Sequence, residues 1–503
     1  MAAKKTPGVY IVEKNAFPNS VVEVPTAIPA FIGITEKAIN GADSLSGQPW
    51  KITSMAEFQQ YFGGAPVPKF TLSVTDVPND NASKPFYSIP SLDKRKIIKV
   101  DKPKILYSLY YQMILFFANG GNTCYIVSVG TYEKNESINK GNVAQALASL
   151  EKEQEITMVV VPEAVFSTDY KDIQIQMLAH CGKMKDRFAI LDVQPKHEGE
   201  QINEQITAFR TNIGTDFLSY GAAYYPWLNA SVLSDKDIDG KMMEWSDHST
   251  IEDFVPEDTQ IPAYFNKILN QINATELTSD KLTAMKNDLH NALLQNFPGY
   301  QSIVDKVKDT LNLLPPSAAM AGLYTMVDNT RGVWKAPANI FINCVNSPTE
   351  NIDDTMQGDL NMPMNGKAVN AIRTFIGEGI KVWGARTLDG NSQDWRYINV
   401  RRTMMFLKES IENAAKVYVF EPNTANTWIN VKSMLDNFLR SVWKRGGLAG
   451  ATPEDAYEVH VGLGDTMISN DILNGIMRIT VFMAMTRPAE FNEITFELQM
   501  QKS

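Results

Sequence analysis

The chain has 503 residues, of which 44% are hydrophobic and 21% are charged, and its formal net charge is −10. This length predicts about two to four domains with ample core, and the acidic balance argues against a general binder of nucleic acids or anionic membranes. The longest apolar run, around Leu106 to Ala118, is too short to span a bilayer. The three cysteines (Cys124, Cys181 and Cys344) are far apart and odd in number, which suits a reduced cytoplasm.

Residues 1–40 predict an N-terminal arm and the first strands of the fold. Strand-forming β-branched and aromatic residues occur here in two short runs: Val9, Tyr10, Ile11, Val12, Val21, Val22 and Val24. A terminal strand with unpaired N–H and C=O groups can pair with a sheet edge of another chain. The alternative is that this strand completes a sheet of its own subunit.

Residues 41–104 are rich in Gly, Pro, Ser, Asn and Lys, which predicts a loop-rich surface insertion with a few short strands. We expect such a segment to tolerate replacement by a short link.

Residues 105–345 alternate between helical patterns and short apolar runs, which predicts an α/β middle domain with a mainly parallel sheet. The predicted elements are helices over 106–119 and 142–152 and strands over 124–129, 156–161 and 188–193. Residues 231–313 are polar and helical throughout, and we interpret them as a solvated elaboration of this domain.

Residues 346–503 predict a C-terminal α+β domain whose last strand is the chain terminus. A first helix covers about 399–418, and a second, capped by Asn423, repeats apolar residues at intervals of three and four before it ends at Gly446-Gly447. Strands follow over 457–461, 476–485 and 491–500. In the last strand the apolar positions alternate with polar ones, as in a second strand-like arm: Ile494, Phe496, Leu498 and Met500.

The C-terminal helices carry a local excess of positive charge on an acidic protein. Residues 395–445 contain nine Lys or Arg and four Asp or Glu. Lys432, Arg440 and Lys444 lie away from the apolar stripe of the second helix. Together with Arg445, they predict docking onto an acidic partner. The alternative is a solvated face balanced by the acidic residues Glu454, Asp455, Glu458, Asp465 and Asp471.

The sequence contains no motif that predicts catalysis, a cofactor or a metal ion. The five histidines are not at metal-ligand spacing, and no Cys-x-x-Cys, phosphate-binding loop or nucleophile elbow is present. Asp192 ends an apolar strand, where α/β enzymes often place catalytic groups, but a helix cap or turn is the favoured interpretation. A peptidase-like enzyme built on the α/β domain remains the competing class of function.

Four sequence stretches in a fixed order resemble one known family. They are Pro7-Gly8-Val9-Tyr10 with Val24-Pro25-Thr26 and Ala30-Phe31-Ile32-Gly33; Arg331 to Asn339; Val382 to Leu388; and Trp395 to Arg402. Together they resemble the contractile tail sheath proteins of phage tails and of phage-tail-like bacterial injection systems. The resemblance is strongest over residues 6–35 and 330–503.

The resemblance implies a structural protein and no enzyme. It implies hexameric rings stacked helically around an inner tube, and contraction that drives the tube through a target envelope. The implied partners are further copies of the chain, an inner tube protein, and baseplate and terminal cap proteins, with no nucleic acid and no direct membrane insertion. We expect the inner tube to be the acidic partner that Lys432, Arg440, Lys444 and Arg445 contact. The expected setting is assembly in the bacterial cytoplasm as part of a virion or of a released or envelope-anchored particle. A sheath-like cap or baseplate component is the nearest alternative.

Overall fold

The computed structural model describes residues 21–76, 86–91, 96–195, 201–245 and 279–491. These residues form two compact units. The C-terminal unit consists of residues 21–25, 332–335 and 402–491, and the larger unit contains the rest. Among the described helices, none is long and apolar enough to cross a membrane.

Twenty strands occur among the described residues. They are β1 Pro29–Thr35, β2 Ile39–Asn40, β3 Asp43–Ser44, β4 Trp50–Ile52, β5 Phe70–Asp76, β6 Tyr87–Pro90, β7 Lys96–Asp101, β8 Cys124–Thr131, β9 Met158–Val160, β10 Phe188–Asp192, β11 Gly221–Tyr225, β12 Leu228–Ala230, β13 Met243–Trp245, β14 Leu313–Leu314, β15 Ile340–Phe341, β16 Val345–Pro348, β17 Asn370–Phe375, β18 Gly379–Val382, β19 Tyr457–His460 and β20 Thr480–Met483.

Thirteen α-helices accompany them within the same described ranges. They are α1 Met55–Phe62, α2 Leu109–Ala118, α3 Lys140–Leu150, α4 Tyr170–Met184, α5 Ile202–Asn212, α6 Ser279–Asn296, α7 Pro298–Leu311, α8 Ser317–Arg331, α9 Asp354–Asn361, α10 Ile398–Ala415, α11 Ala425–Lys444, α12 Pro453–Ala456 and α13 Ser469–Leu473.

The larger unit is built on a nine-stranded sheet with the order β15-β18-β17-β11-β10-β9-β1-β8-β4. The six central strands, β17 to β8 in this order, run parallel, whereas β4, β18 and β15 pair antiparallel at the edges. A mainly parallel sheet is therefore present, but it is not limited to residues 105–345 as predicted, because β1 and β4 precede this range and β17 and β18 follow it. Its central strands read as nearly continuous apolar runs because helices cover both faces.

The two faces of the sheet can be followed along β1. Ala30, Ile32 and Ile34 point to one side and join a core formed with helices α3, α4 and α5. Phe31 points to the other side and meets Phe116 of α2, with ring centroids 5.0 Å apart. On that side α8 packs closely against α2 at Gly322, where a Cβ atom would lie 2.5 Å from the Phe116 carbonyl oxygen. The result is a three-layer α/β/α arrangement.

A smaller core lies in the same unit and joins two segments that were predicted to be separate surface features. The sheet β13-β5-β7-β6 covers parts of residues 41–104 and 231–313, and helices α6 and α7 pack on it. Its fully buried members include Phe70 and Leu72 from the first segment and Leu293 and Ile303 from the second. Residues 41–104 are therefore not only a loop-rich surface insertion, and residues 231–313 are not only a solvated elaboration, because the two segments bury apolar faces against each other.

Candidate functional site

The C-terminal unit is held together by α10 and α11, as the helical spacing predicted. Phe406 of α10 and Phe438 of α11 meet edge to face with centroids 6.2 Å apart, and Val431, Leu435 and Val442 of α11 are fully buried. The apolar stripe of α11 therefore faces the core, and its other side faces solvent.

The start of α11 differs from prediction. The residue before the helix is Thr424, and Asn423 does not cap it. Instead, the Asn423 side chain accepts a hydrogen bond from Trp428 Nε1 (2.7 Å) and donates one to the Ile476 carbonyl (3.0 Å). The predicted end is confirmed, since the helix stops at Lys444 and Gly446 has a φ of +85°.

The four predicted partner-binding cations, Lys432, Arg440, Lys444 and Arg445, are all exposed. Lys432 and Arg440 line a groove of about 340 Å³ on α11 whose other walls include Asp436, Glu454 and Glu458. A hydrogen bond to Tyr457 raises the pKa of Arg440, and neighbouring acids add to this effect. These two cations therefore face acidic groups of their own unit, which favours the alternative of a balanced face at this point.

His460 lies at the rim of the same groove. Its Nε2 is 3.2 Å from Glu458 Oε2, and its Nδ1 is 3.1 Å from Asp465 Oδ1. These hydrogen bonds, first to Glu458 and then to Asp465, raise the pKa of the exposed imidazole. The groove thus mixes both signs of charge and is not a simple basic patch.

Arg445 has a different environment from the other three cations. Its guanidinium binds the Glu23 carboxylate in a two-pronged ion pair, with Nη1 3.1 Å from Oε2 and a second contact from Nη2 to Oε1. The guanidinium also lies 5.2 Å from the centroid of the Trp334 ring. The sequence pattern did not predict these roles for Glu23 and Trp334, because the ion pair joins residues 422 positions apart.

The predicted N-terminal arm is described only from residue 21. Val21 and Val24 pack against the core of their own C-terminal unit, and the Val24 N–H donates to Ser410 Oγ at 3.2 Å. Val22 is exposed. Val9, Tyr10, Ile11 and Val12 lie outside the described residues, so inter-subunit pairing through them stays a prediction.

The predicted C-terminal strands are described up to residue 491. Thr480–Met483 pairs antiparallel with Tyr457–His460, so the strand predicted over 476–485 is present but shorter. Ile494, Phe496, Leu498 and Met500 lie outside the described residues, and the second arm also stays a prediction.

Two buried carboxylates in the larger unit, those of Glu163 and Asp192, accept hydrogen bonds from backbone N–H groups. Glu163 accepts hydrogen bonds from the backbone N–H groups of Ile34 (2.8 Å), Ser108 (2.8 Å) and Leu109 (3.1 Å). Asp192 accepts from Ser317 N at 2.8 Å, at the first residue of α8. Burial raises the pKa of both, that of Asp192 to about 7. Asp192 therefore caps a helix, although that helix lies 125 residues further along the chain.

A cleft of about 1550 Å³ opens beside Glu163 at the carboxyl edge of the parallel strands. This is where α/β enzymes place ligands. Within the described ranges, no group of three or more His, Cys, Asp or Glu side chains could hold a metal ion. Both oxygens of the Glu163 carboxylate accept hydrogen bonds from backbone N–H groups, which favours a structural role for this residue.

The comparisons with known proteins point to one kind of molecule. Residues 391–497 match the family model of the phage tail sheath C-terminal domain. The tail sheath protein of Vibrio phage KVP40 is 27% identical over 149 residues, which is 30% of this chain and 22% of that protein. A putative prophage major tail sheath protein of Pseudomonas aeruginosa is 27% identical over 184 residues, 36% of this chain and 46% of that protein. The chain thus spans between about a fifth and a half of the length of these relatives.

Solved structures extend the similarity to nearly the whole chain. The sheath complex of the extracellular contractile injection system PVC, in the contracted state, is 26% identical with a TM-score of 0.59, and the alignment covers 99% of this chain and 98% of that one. The contracted helical sheath of the anti-feeding prophage (AFP) is 26% identical with a TM-score of 0.61, covering 98% and 99%. The resemblance to contractile tail sheath proteins that was predicted from the sequence is thus confirmed by a family model, by curated relatives and by solved sheath structures.

Proposed function

We propose that this chain is the sheath subunit of a contractile injection machine. The observation that carries the proposal is the similarity to two contracted sheaths over at least 98% of both chains, at 26% identity. The relatives are structural sheath proteins, and the phage tail sheath C-terminal domain at residues 391–497 supports the same role. The subunit would polymerise as hexameric rings stacked helically around an inner tube.

The mechanism of such a subunit is mechanical. The extended sheath would store free energy at assembly and release it when its interfaces switch to a second arrangement, without nucleotide hydrolysis. Each subunit would move largely as a rigid body while connections between neighbours persist. Its partners would be further copies, the inner tube, and the baseplate and cap proteins. Assembly would occur in the bacterial cytoplasm, within a virion or a phage-tail-like particle.

We further propose that the two terminal arms connect neighbouring subunits by strand pairing. The residues assigned to this role are Val9 to Val12 and Ile494 to Met500. Support comes from the β-branched and aromatic run of Val9 to Val12, from the alternating pattern of Ile494 to Met500, and from the small size of the sheet formed by β19 and β20, which has two strands in the described chain. Val21 and Val24 are no longer assigned to pairing between subunits, because they pack on the core of their own unit. We assign them instead to the segment that attaches the N-terminal arm to its subunit.

Contact with the inner tube is proposed for the exposed face of α11. Lys444 is its best candidate, since it is exposed, points away from the buried stripe and does not line the groove that Lys432 shares with acidic residues. Lys432, which is also exposed, is the second candidate. Arg440 contributes less to an acidic partner because Tyr457 and the groove acids already surround it. Weak exposed ion pairs, about 0–1 kcal/mol each, can be broken together during contraction.

A baseplate role is the second candidate, because chains in two solved AFP baseplate structures are also similar, each with a TM-score of 0.58. Electron microscopy of the purified full-length protein separates the two. Long hollow cylinders support the sheath role, whereas short rings or discs that never elongate support a baseplate component.

Truncation tests the arms in the same assay. Deletion of residues 1–20, or of 490–503, should leave a folded protein that forms no cylinders. Normal cylinders from either truncation would refute the connecting role of that arm.

A further inference from the structure

The turn that follows α11, residues 445–449, contacts the chain segments that lead to both termini. On the N-terminal side, Arg445 holds Glu23 through two hydrogen bonds, one of them 3.1 Å long, while its guanidinium lies over Trp334. A two-pronged Arg–carboxylate pair fixes direction as well as distance, because both groups are planar. Residue 23 is thereby held in a defined orientation close to the point where the arm begins.

On the C-terminal side, the same turn binds the segment that follows β20. The Ala449 N–H donates to the Ala484 carbonyl at 2.8 Å, and Leu448 and Met485 form an antiparallel bridge. Thr486 Oγ1 donates to the Gly446 carbonyl at 3.3 Å. Gly446 has a φ of +85°, which a glycine adopts without strain, so the turn has a specific shape.

We propose that residues 445–449 form a shared anchor that sets where both terminal arms leave the subunit. This inference rests on the proposed strand-pairing function. Arg445 acts in it as a positioning residue rather than as a contact to the inner tube.

The exposure of the ion pair supports a positioning role over a stabilising one. The side chains of Arg445 and Glu23 are 41% and 39% exposed, and pairs this exposed contribute little to folding. Strand pairing, in contrast, depends strongly on register, since a shift of one residue turns every side chain of the arm to the opposite face. A loosened anchor would therefore impair pairing by both arms while the unit stays folded.

The first test compares Arg445→Ala with Arg478→Ala in the full-length protein. Arg478 is a matched control, because it also forms a surface pair, 3.1 Å from Asp471, in the same unit. Both variants should melt within about 4 °C of the parent. We expect Arg445→Ala to lower the yield of cylinders at least tenfold and Arg478→Ala to change it less than twofold. The exchanged pair Glu23→Arg with Arg445→Glu should recover most of the yield.

The second test measures hydrogen exchange in the unassembled protein. Arg445→Ala should speed amide exchange about tenfold both in residues 21–25 and in residues 484–486. Faster exchange on the N-terminal side alone would overturn the shared anchor, as would normal cylinders from Arg445→Ala. If the parent protein forms no cylinders at all, the proposed function fails, while the exchange experiment still decides the anchor.

Discussion

The core that joins β5, β7, α6 and α7 can be tested with Leu72→Ala. Leu72 is fully buried, lies opposite Val100 on β7 and is paired with Trp245 on β13. Truncating a buried leucine costs about 3–5 kcal/mol, since transfer free energy is lost and a cavity remains. This is a large share of the stability of an ordinary domain, about 5–15 kcal/mol.

Native-state hydrogen exchange is the appropriate assay, because a chain with several cores need not unfold in one step. A loss of about 3 kcal/mol predicts amide exchange in β5 and β7 about a hundredfold faster. Thr75→Ala, at an exposed position of the same strand, is the control and should change exchange less than threefold. A Leu72→Ala effect below about 1 kcal/mol would mean that this segment is the replaceable surface insertion that its composition suggested.

Three further outcomes are expected. Glu163→Gln should lower the free energy of unfolding by about 1–3 kcal/mol, because the amide N–H₂ group of glutamine would face backbone N–H donors. The control Glu136→Gln, at an exposed position, should leave the free energy of unfolding unchanged, and denaturant titration measures both. Burial raises the pKa of Asp192 to about 7, so the folded state keeps a proton that the unfolded state releases above about pH 4. Stability should therefore fall between about pH 4 and pH 7, and Asp192→Asn should remove this part of the slope in urea titrations; an unchanged slope would contradict the assignment. Lys432→Glu with Lys444→Glu should prevent assembly on the tube while arm pairing persists, and tube-filled sheaths of normal appearance in electron micrographs would refute the contact.

Local patterns in the sequence were sufficient to predict many elements. The apolar runs at 188–193 and 124–129 became buried parallel strands, and the three-four spacing from Val431 to Val442 became the buried stripe of α11. Each of these signals is local, because burial on a strand or helix follows the period of the chain itself.

Contacts between distant segments could not be predicted in this way. Glycine and proline in residues 41–104 suggested loops, but Leu72 is buried because β13, more than 150 residues later, pairs with its strand. Likewise, the sequence shows that Arg445 is charged, but it does not show that Glu23 is its ion-pair partner. The sequence shows how polar each residue is, but only the tertiary fold determines which other residues it contacts.

The nine-stranded sheet ends on both sides in strands of only a few residues, Trp50–Ile52 and Ile340–Phe341. A long bare edge would invite indiscriminate association through backbone hydrogen bonds, and short antiparallel edge strands offer little to a foreign strand. The short edge strands matter for a molecule that is proposed to polymerise by strand pairing of its terminal arms. Short edge strands would keep the largest sheet of the subunit from pairing with strands of other copies. Association through the proposed terminal arms would then take place in one geometry and not in several.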